Sequence, residues 1–214
     1  MSAWPMTLVS NDGRRPTVVL RRLTRRDHDA WDAVRRDNAD YVGQWEPTSP
    51  DGIGRRMTFR QYVRGLDKEA KDGRMLPFVI DIDGHIAGQM HLFGIVQGSL
   101  LSGAAGYWVA RRYAGTGVAT RSLALLCDHA FTTAGLHRVE VNIRPENAPS
   151  LRVVDHLRFR DEGLRARYLH IAGGWRDHRT FALTLEDLQG GSVVDRWRPG
   201  HEVPRDAVHE VRSD

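Results

Sequence analysis

The chain has 214 residues, of which 41% are hydrophobic and 27% charged, and it carries a formal net charge of +4. That length suits one large domain with its own core, and no run approaches the roughly 20 apolar residues of a membrane span. Arginines interleaved with acids argue against a dedicated nucleic-acid binder but allow an acidic ligand such as a nucleotide. The opening residues lack a basic segment leading into an apolar run, so no secretory signal is expected. The single cysteine, Cys127, excludes an intrachain disulfide and points to a cytoplasmic protein.

Pro16 to Leu23 predicts a strand. Thr24 is placed to cap a helix from about 25 to 38, with Asp27 in its first turn. Residues 39 to 54 are rich in Gly, Pro and Asp and predict a loop, and a second helix is expected from about 55 to 72. Two strand-like runs, 76–82 and 86–96, flank Asp83-Gly84, a hairpin signal. Gln97-Gly98-Ser99 turns the chain into a strand near 101–110. A helix after Gly117 places Ala119, Leu123, Leu126, Cys127, Ala130 and Ala134 on one face, with Arg121, Asp128 and Thr132 elsewhere. His137 to Ile143 alternates as a strand, and a short helix follows from about 147 to 157. Strands at 159–171 and 175–186, joined at Gly173-Gly174, complete the order β-α-α-β-β-β-α-β-α-β-β. Residues 189–214 predict an extension with little regular structure.

Gly115-Thr116-Gly117 stands between an aromatic strand and a long apolar helix. Amides opening a helix there form an anion cradle. A phosphate-binding loop of the G-x-x-x-x-G-K-[ST] type is excluded, because no lysine follows Gly117. A dinucleotide fold would need a third glycine where Thr120 stands, although Glu140 lies about 20 residues on as that motif requires. A plain strand-to-helix turn is the other reading. Cys127 lies in the apolar stripe and reads as core. The ten histidines show no HExxH or paired spacing, so no metal site is expected. Arg14, Arg15, Arg21, Arg22, Arg25 and Arg26 form a basic cluster, read as solvated rather than as an RNA contact.

The longer run Arg112-Tyr-Ala-Gly115-Thr116-Gly117-Val118-Ala119 resembles the Arg/Gln-x-x-Gly-x-Gly/Ala signature of GCN5-related N-acetyltransferases. His137 to Ser150, with Gly106-Tyr107-Trp108-Val109, Trp45-Glu46-Pro47 and Trp175-Arg176-Asp177, resembles the RimJ/RimL branch, which acetylates N-termini of ribosomal proteins. The resemblance spans roughly 17–187. It implies an α/β (α+β) fold with a mixed, largely antiparallel central sheet flanked by helices, in a domain over residues 1–188. It implies acetyl-CoA as cofactor, with coenzyme A as product. The pyrophosphate would lie on Arg112, Gly115, Thr116, Gly117, Val118, Ala119 and Thr120, and the thioester near Trp108 and Val109. Asn147 and Ser150 would meet the pantetheine or sulfur end, with Ser150 a candidate acid toward the leaving thiolate.

The family's tyrosine acid is replaced by Val154, and Arg158 stands where a glycine is usual. Glu140 is the preferred general base, with Glu46 its rival. Tyr41, Trp45 and Glu46 would border the acceptor. The expected reaction is direct attack by an N-terminal α-amine in a ternary complex, with a ribosomal protein as the partner and neither a membrane nor a specific nucleic acid involved. Two alternatives stay open: a small amine as acceptor, or a non-catalytic acyl-CoA-binding or ribosome-associated module.

Overall fold

The computed structural model describes residues 4–11, 13–51 and 57–196. Eight strands form one sheet: β1 (Leu8–Val9), β2 (Val18–Arg22), β3 (Met75–Ile82), β4 (His85–Val96), β5 (Ser102–Val109), β6 (Arg138–Ile143), β7 (Arg160–Ile171) and β8 (Gly174–Thr184). Their order is β1-β2-β3-β4-β5-β6-β8-β7. Every pairing is antiparallel except β5 with β6. The helices are α1 (His28–Asp37), α2 (Ala39–Gly43), α3 (Phe59–Lys71), α4 (Val118–Thr132), α5 (Ala148–His156) and α6 (Val193–Arg196). The mixed, largely antiparallel sheet with flanking helices is the fold the sequence predicts. Three details differ. Two-residue β1 is too short to carry a period-2 signal. Helix α2 lies within the expected 39–54 loop, and residues 52–56 are outside the described part. Helix α6 lies in the expected C-terminal extension, the rest of which, 197–214, is also outside the described residues.

The hairpins follow from local chemistry. Asp83 and Gly84 both take positive φ, 51° and 82°, the twist that a two-residue hairpin loop needs. Buried Asp81 accepts from the Gly84 amide (2.8 Å) and from Arg21 Nε (2.8 Å), so strand, turn and neighbouring strand share one carboxylate. Arg21 and Arg22 point to different partners, Asp27 with Asp81 and Asp67 respectively. This part of the basic cluster is therefore structural.

Helix α4 is enclosed on nearly every side. Leu123, Leu126, Cys127 and Ala130 are fully buried, and so are Thr120, Ser122 and Ala124 around the circumference. Arg121, expected away from the core, is 3% exposed. Its guanidinium donates to the Pro16 carbonyl (2.6 Å) and Ser10 Oγ (2.9 Å), anchoring the segment before β2. Burial of that charge is tolerated because its donors are met by fixed acceptors. Farther along α4, the Asp128 carboxylate accepts from the Val193 and Val194 amides at 2.6 and 3.1 Å, capping α6.

The parallel pair shapes the molecule's cleft. β5 and β6 are in register at Ser102↔Arg138, Gly103↔Val139, Ala104↔Glu140 and Ala105↔Val141, and there their pairing stops. β5 continues alongside β4 to Val109, and β6 continues alongside β8 to Ile143. The two strands part, leaving the edge of Gly106–Val109 without a strand neighbour on that side among the described residues. On its other side this segment is pinned by Gly88 of β4. A Cβ on Gly88 would lie 2.2 Å from the Trp108 carbonyl oxygen. Gly88→Ala is expected to destabilise the fold by about 2 kcal/mol or more, because only backbone movement relieves that overlap. Urea unfolding of the variant checks this; an unchanged midpoint would show the wall to be looser than its register implies.

Candidate active site

A cleft of about 1320 Å³ opens where β5 and β6 part. It exceeds the usual few hundred to 1,000 Å³ of a single small-ligand site, leaving room for two reactants. One end is formed by the turn into α4. Gly115 and Gly117 have φ of 73° and 79°. Gly117 is the N-cap of α4, and no side chain caps the helix. The first-turn amides are therefore left for a ligand, with the positive end of the helix dipole behind them. A Cβ on Gly115 would meet no atom within 4 Å, so the loop faces open space. This vacancy beside uncapped amides fits the pyrophosphate of a coenzyme A thioester.

The sequence-predicted residues divide clearly. Trp108, Val109, Gly115, Thr116, Gly117, Ala119, Thr120, Asn147, Ser150, Tyr41, Trp45 and Glu46 all line the cleft. Arg112, Val118 and Glu140 are not among its lining residues. Val118 is fully buried in the core. The Arg112 guanidinium instead lies over the Tyr113 ring, 4.7 Å from its centroid. Glu140 alternates with buried Val139 and Val141, as its strand requires. The face it reaches is an ion-pair lattice: Arg138 Nε is 2.9 Å and Arg165 Nη2 3.2 Å from its carboxylate. It is thus held by two guanidiniums outside the lining of the cleft.

Glu46 is the one carboxylate among the described lining residues. It forms a two-pronged pair with Arg35, whose guanidinium lies 5.2 Å from the Trp108 ring centroid. Trp31, Tyr62 and Trp108 form an aromatic wall, with Trp31 ring centroids 5.9 Å from Tyr62 and 5.8 Å from Trp108. The Glu46 loop is fixed at both ends. Asn38 Oδ1 accepts from the Arg111 amide at 2.7 Å, and the Thr48 amide donates to the His170 carbonyl at 2.8 Å. The β7–β8 hairpin therefore borders this end.

Asn147 caps α5 by accepting from the Ser150 amide at 3.2 Å, a local role compatible with its place in the cleft. Tyr107 escaped the sequence reading. Its phenol lines the cleft but is shut off from solvent, with no hydrogen-bond partner of regular geometry. Burial pushes its pKa up, and the Ser150 hydroxyl is the group that interacts with it. The only sequence signal for Tyr107 was membership of the Gly106–Val109 motif, to which no separate role for it attached. Tyr107 and Trp108 both line the cleft, although alternate strand residues point to opposite faces, because this stretch has an open edge. Val154 is buried in the core, so the position of the family's usual acid carries packing instead. Cys127 is buried, and burial raises its thiol well above the ordinary value, which disfavours the thiolate.

Gln89 and His91, also missed, lie behind the aromatic wall. Gln89 Oε1 accepts from Trp108 Nε1 (3.3 Å) and the Tyr62 hydroxyl (3.4 Å), while its amide nitrogen lies 2.7 and 2.9 Å from the His91 ring nitrogens. Burial lowers the His91 pKa from 6.5 to about 3, so the imidazole is neutral at neutral pH.

The acetyltransferase (GNAT) domain family matches residues 17–160. The Mycobacterium smegmatis RimJ structure in complex with CoA-disulfide is 40% identical, covering 90% of this chain and 93% of that one, with a TM-score of 0.81. The Escherichia coli [ribosomal protein uS5]-alanine N-acetyltransferase is 28% identical over 178 residues, 81% of this chain and 87% of that protein. A ribosomal-protein-S5-alanine acetyltransferase from Vibrio fischeri shares the fold, with a TM-score of 0.70 at 24% identity over 85% of this chain and 96% of that one.

Two outcomes test this geometry. Gly117→Val forces a β-branched residue into a left-handed conformation beside the cradle. It is expected to weaken acetyl-CoA binding roughly tenfold or more while the protein still folds; calorimetry and a melting curve on the same sample check both. For His91 the sign is set by its depressed pKa. The unfolded chain takes up a proton as pH falls through 6.5, and the folded chain does not until about 3. Stability is lost across that window, by at most about 1.4 kcal/mol per pH unit. Urea unfolding at pH 7 and 4.5 is expected to show a smaller loss for His91→Gln than for wild type.

Proposed function

This chain belongs to the acetyltransferase (GNAT) family, in its RimJ/RimL branch, and from that premise we propose that it acetylates the N-terminal α-amine of a ribosomal protein. Acetyl-CoA is the cofactor, and the reaction is transfer of its acetyl group to an amine. The observation that carries the choice of acceptor is the shape of the cleft's second end. An aromatic wall and a tethered loop flank the lone lining carboxylate, Glu46, which suits a cationic chain terminus threaded between loop and hairpin. The relatives named for ribosomal-protein alanine acetylation support the same reading.

The cofactor supplies an acetyl group activated as a thioester. The α4 amides and Gly115–Gly117 hold its pyrophosphate, and the unpaired β5 edge near Val109 offers backbone groups along its length. Glu46, positioned by Arg35, attracts the acceptor ammonium and receives its proton directly or through one water. An α-amine with a pKa near 8 needs only modest help. Ser150 directs its hydroxyl proton toward the sulfur as the thiolate departs, and Tyr107 orients that hydroxyl from behind. Glu140 serves as an ion-pair anchor between β6 and β7. Cys127 takes no part, so the amine attacks without an acyl-enzyme step.

A panel of peptides with free N-termini and a panel of small amines, each with acetyl-CoA and read as free-thiol release, tests the acceptor. Peptides beginning with small residues are expected to turn over; turnover of small amines alone would overturn the assignment. Within the active pair, Glu46→Gln is expected to lower turnover at neutral pH roughly 100-fold, with partial recovery as pH rises and the amine arrives deprotonated. Glu140→Gln is expected to retain most turnover, and the reverse pattern would return the base to β6.

A further inference from the structure

Two arginines that line the cleft have no part in the chemistry above. Arg158 follows α5 in the left-handed region, at φ 57°. Its amide donates to the Asp155 carbonyl and the Phe159 amide to the Val154 carbonyl, at 2.9 and 3.0 Å, so the turn keeps the form a glycine would give it. The exposed Arg158 guanidinium has no described carboxylate or carbonyl partner. Arg196 belongs to α6, outside the matched family segment of 17–160. It is brought in because Asp128 caps that helix and Val193 is fully buried. Its guanidinium donates to the Asp187 carbonyl.

Both side chains line the main cleft and a smaller adjoining cavity of about 520 Å³. Burial and the Arg158 charge push the Arg196 pKa down, so the two cations stand close enough to oppose each other. Arg152 and His156 of α5 also line the cleft. Of the carboxylates of the smaller cavity, Asp187 pairs with Arg160 at 3.0 Å and offsets only part of the Arg196 charge, while Asp195 accepts from Ser192 at 2.7 Å; neither is paired with Arg158. Converging guanidiniums with unspent donors are a costly arrangement unless an anion completes it. A phosphate monoester, close to doubly charged at neutral pH, matches the arginine fork in charge and geometry.

We propose that Arg158 and Arg196 form a subsite for the 3′-phosphate of coenzyme A, supplied jointly by the α5 turn and the C-terminal helix. This rests on the reading of the cleft as the cofactor site. It gives the residue in the glycine position and the extension beyond the sheet a shared role, which is to select the phosphorylated cofactor over its 3′-dephospho form.

Calorimetric titration of coenzyme A and of 3′-dephospho-coenzyme A tests this in wild type, Arg158→Gly, Arg196→Gln and the double variant. Wild type is expected to prefer coenzyme A about 100-fold, each single variant about 10-fold, and the double variant hardly at all. The affinity for the dephospho form should stay level in all four proteins. Arg158→Gly should melt no lower than wild type, since glycine suits a positive φ, and this separates lost selection from lost structure. Equal wild-type affinity for the two ligands, or an intact preference in the double variant, overturns the subsite. Failure of wild type to bind either ligand overturns the cofactor reading itself, and the subsite with it.

Discussion

The parting of β5 and β6 is the constraint on which the rest of this structure depends. Parallel neighbours in a sheet normally stay paired along their length, because an unpaired backbone edge is expensive to bury. Here the pairing ends at Ala105↔Val141, and each strand keeps its other neighbour. β4 carries Gly106–Val109 onward, and β8 carries Asn142 and Ile143. The opening is thereby held by two intact antiparallel ladders and does not depend on a loop. The edge it exposes supplies backbone groups where a thioester needs them, and the chain leaving β5 runs directly into the glycine turn of α4. Cofactor cradle and reaction centre are consequences of the same divergence.

Around that opening, charge is sorted by hydrogen-bonded pairing. Acids and arginines on the β6–β7–β8 surface neutralise one another, as Arg138 does with Glu140 and Glu162, and Arg179 with Asp161. These contacts are exposed or half-exposed, and their number says little about stability. Their effect is positional, since they hold Glu140 on this surface and out of the cleft lining. At the other end of the cleft the one lining carboxylate is paired as well. Glu46 is oriented by Arg35 but remains in the cleft, with aromatic rings replacing water on one side. The Gln89 amide oxygen accepts from the indole and the phenol, and the neutral His91 imidazole lies against its amide nitrogen.

Much of the fold was legible in the sequence because its signals are local. Asp83-Gly84 marks its hairpin through backbone twist, the β7–β8 turn falls on Ala172-Gly173, one residue before the predicted Gly173-Gly174, and a period of two or near four separates strands from helices. Gly115 and Gly117 marked the turn into α4 because positive φ favours glycine, and the longer family signature singled that turn out. Ser150 and Asn147 were legible as a capped helix start carrying family motifs. Legibility failed where the outcome depends on which distant segment packs against a residue. Arg121 reads as a surface position on the helical wheel, yet Ser10 and Pro16, more than 100 positions earlier, fold over it and provide acceptors. Alternation correctly placed Glu140 opposite Val139 and Val141, but it carried no information about Arg165 on another strand.

By itself, then, the sequence determined the order of the main elements, the Asp83-Gly84 hairpin, the glycine turn before α4 and the family to which the chain belongs, because each rests on residues near in the chain or on a long shared pattern. Only the tertiary structure decided which acid lines the cleft, that Tyr107 and Ser150 come together there, and that Arg158 shares its cavities with Arg196 of the C-terminal helix. Those outcomes turn on the direction of side chains across strands and helices distant in sequence. Such directions are fixed by close packing and charge pairing, which no local pattern encodes.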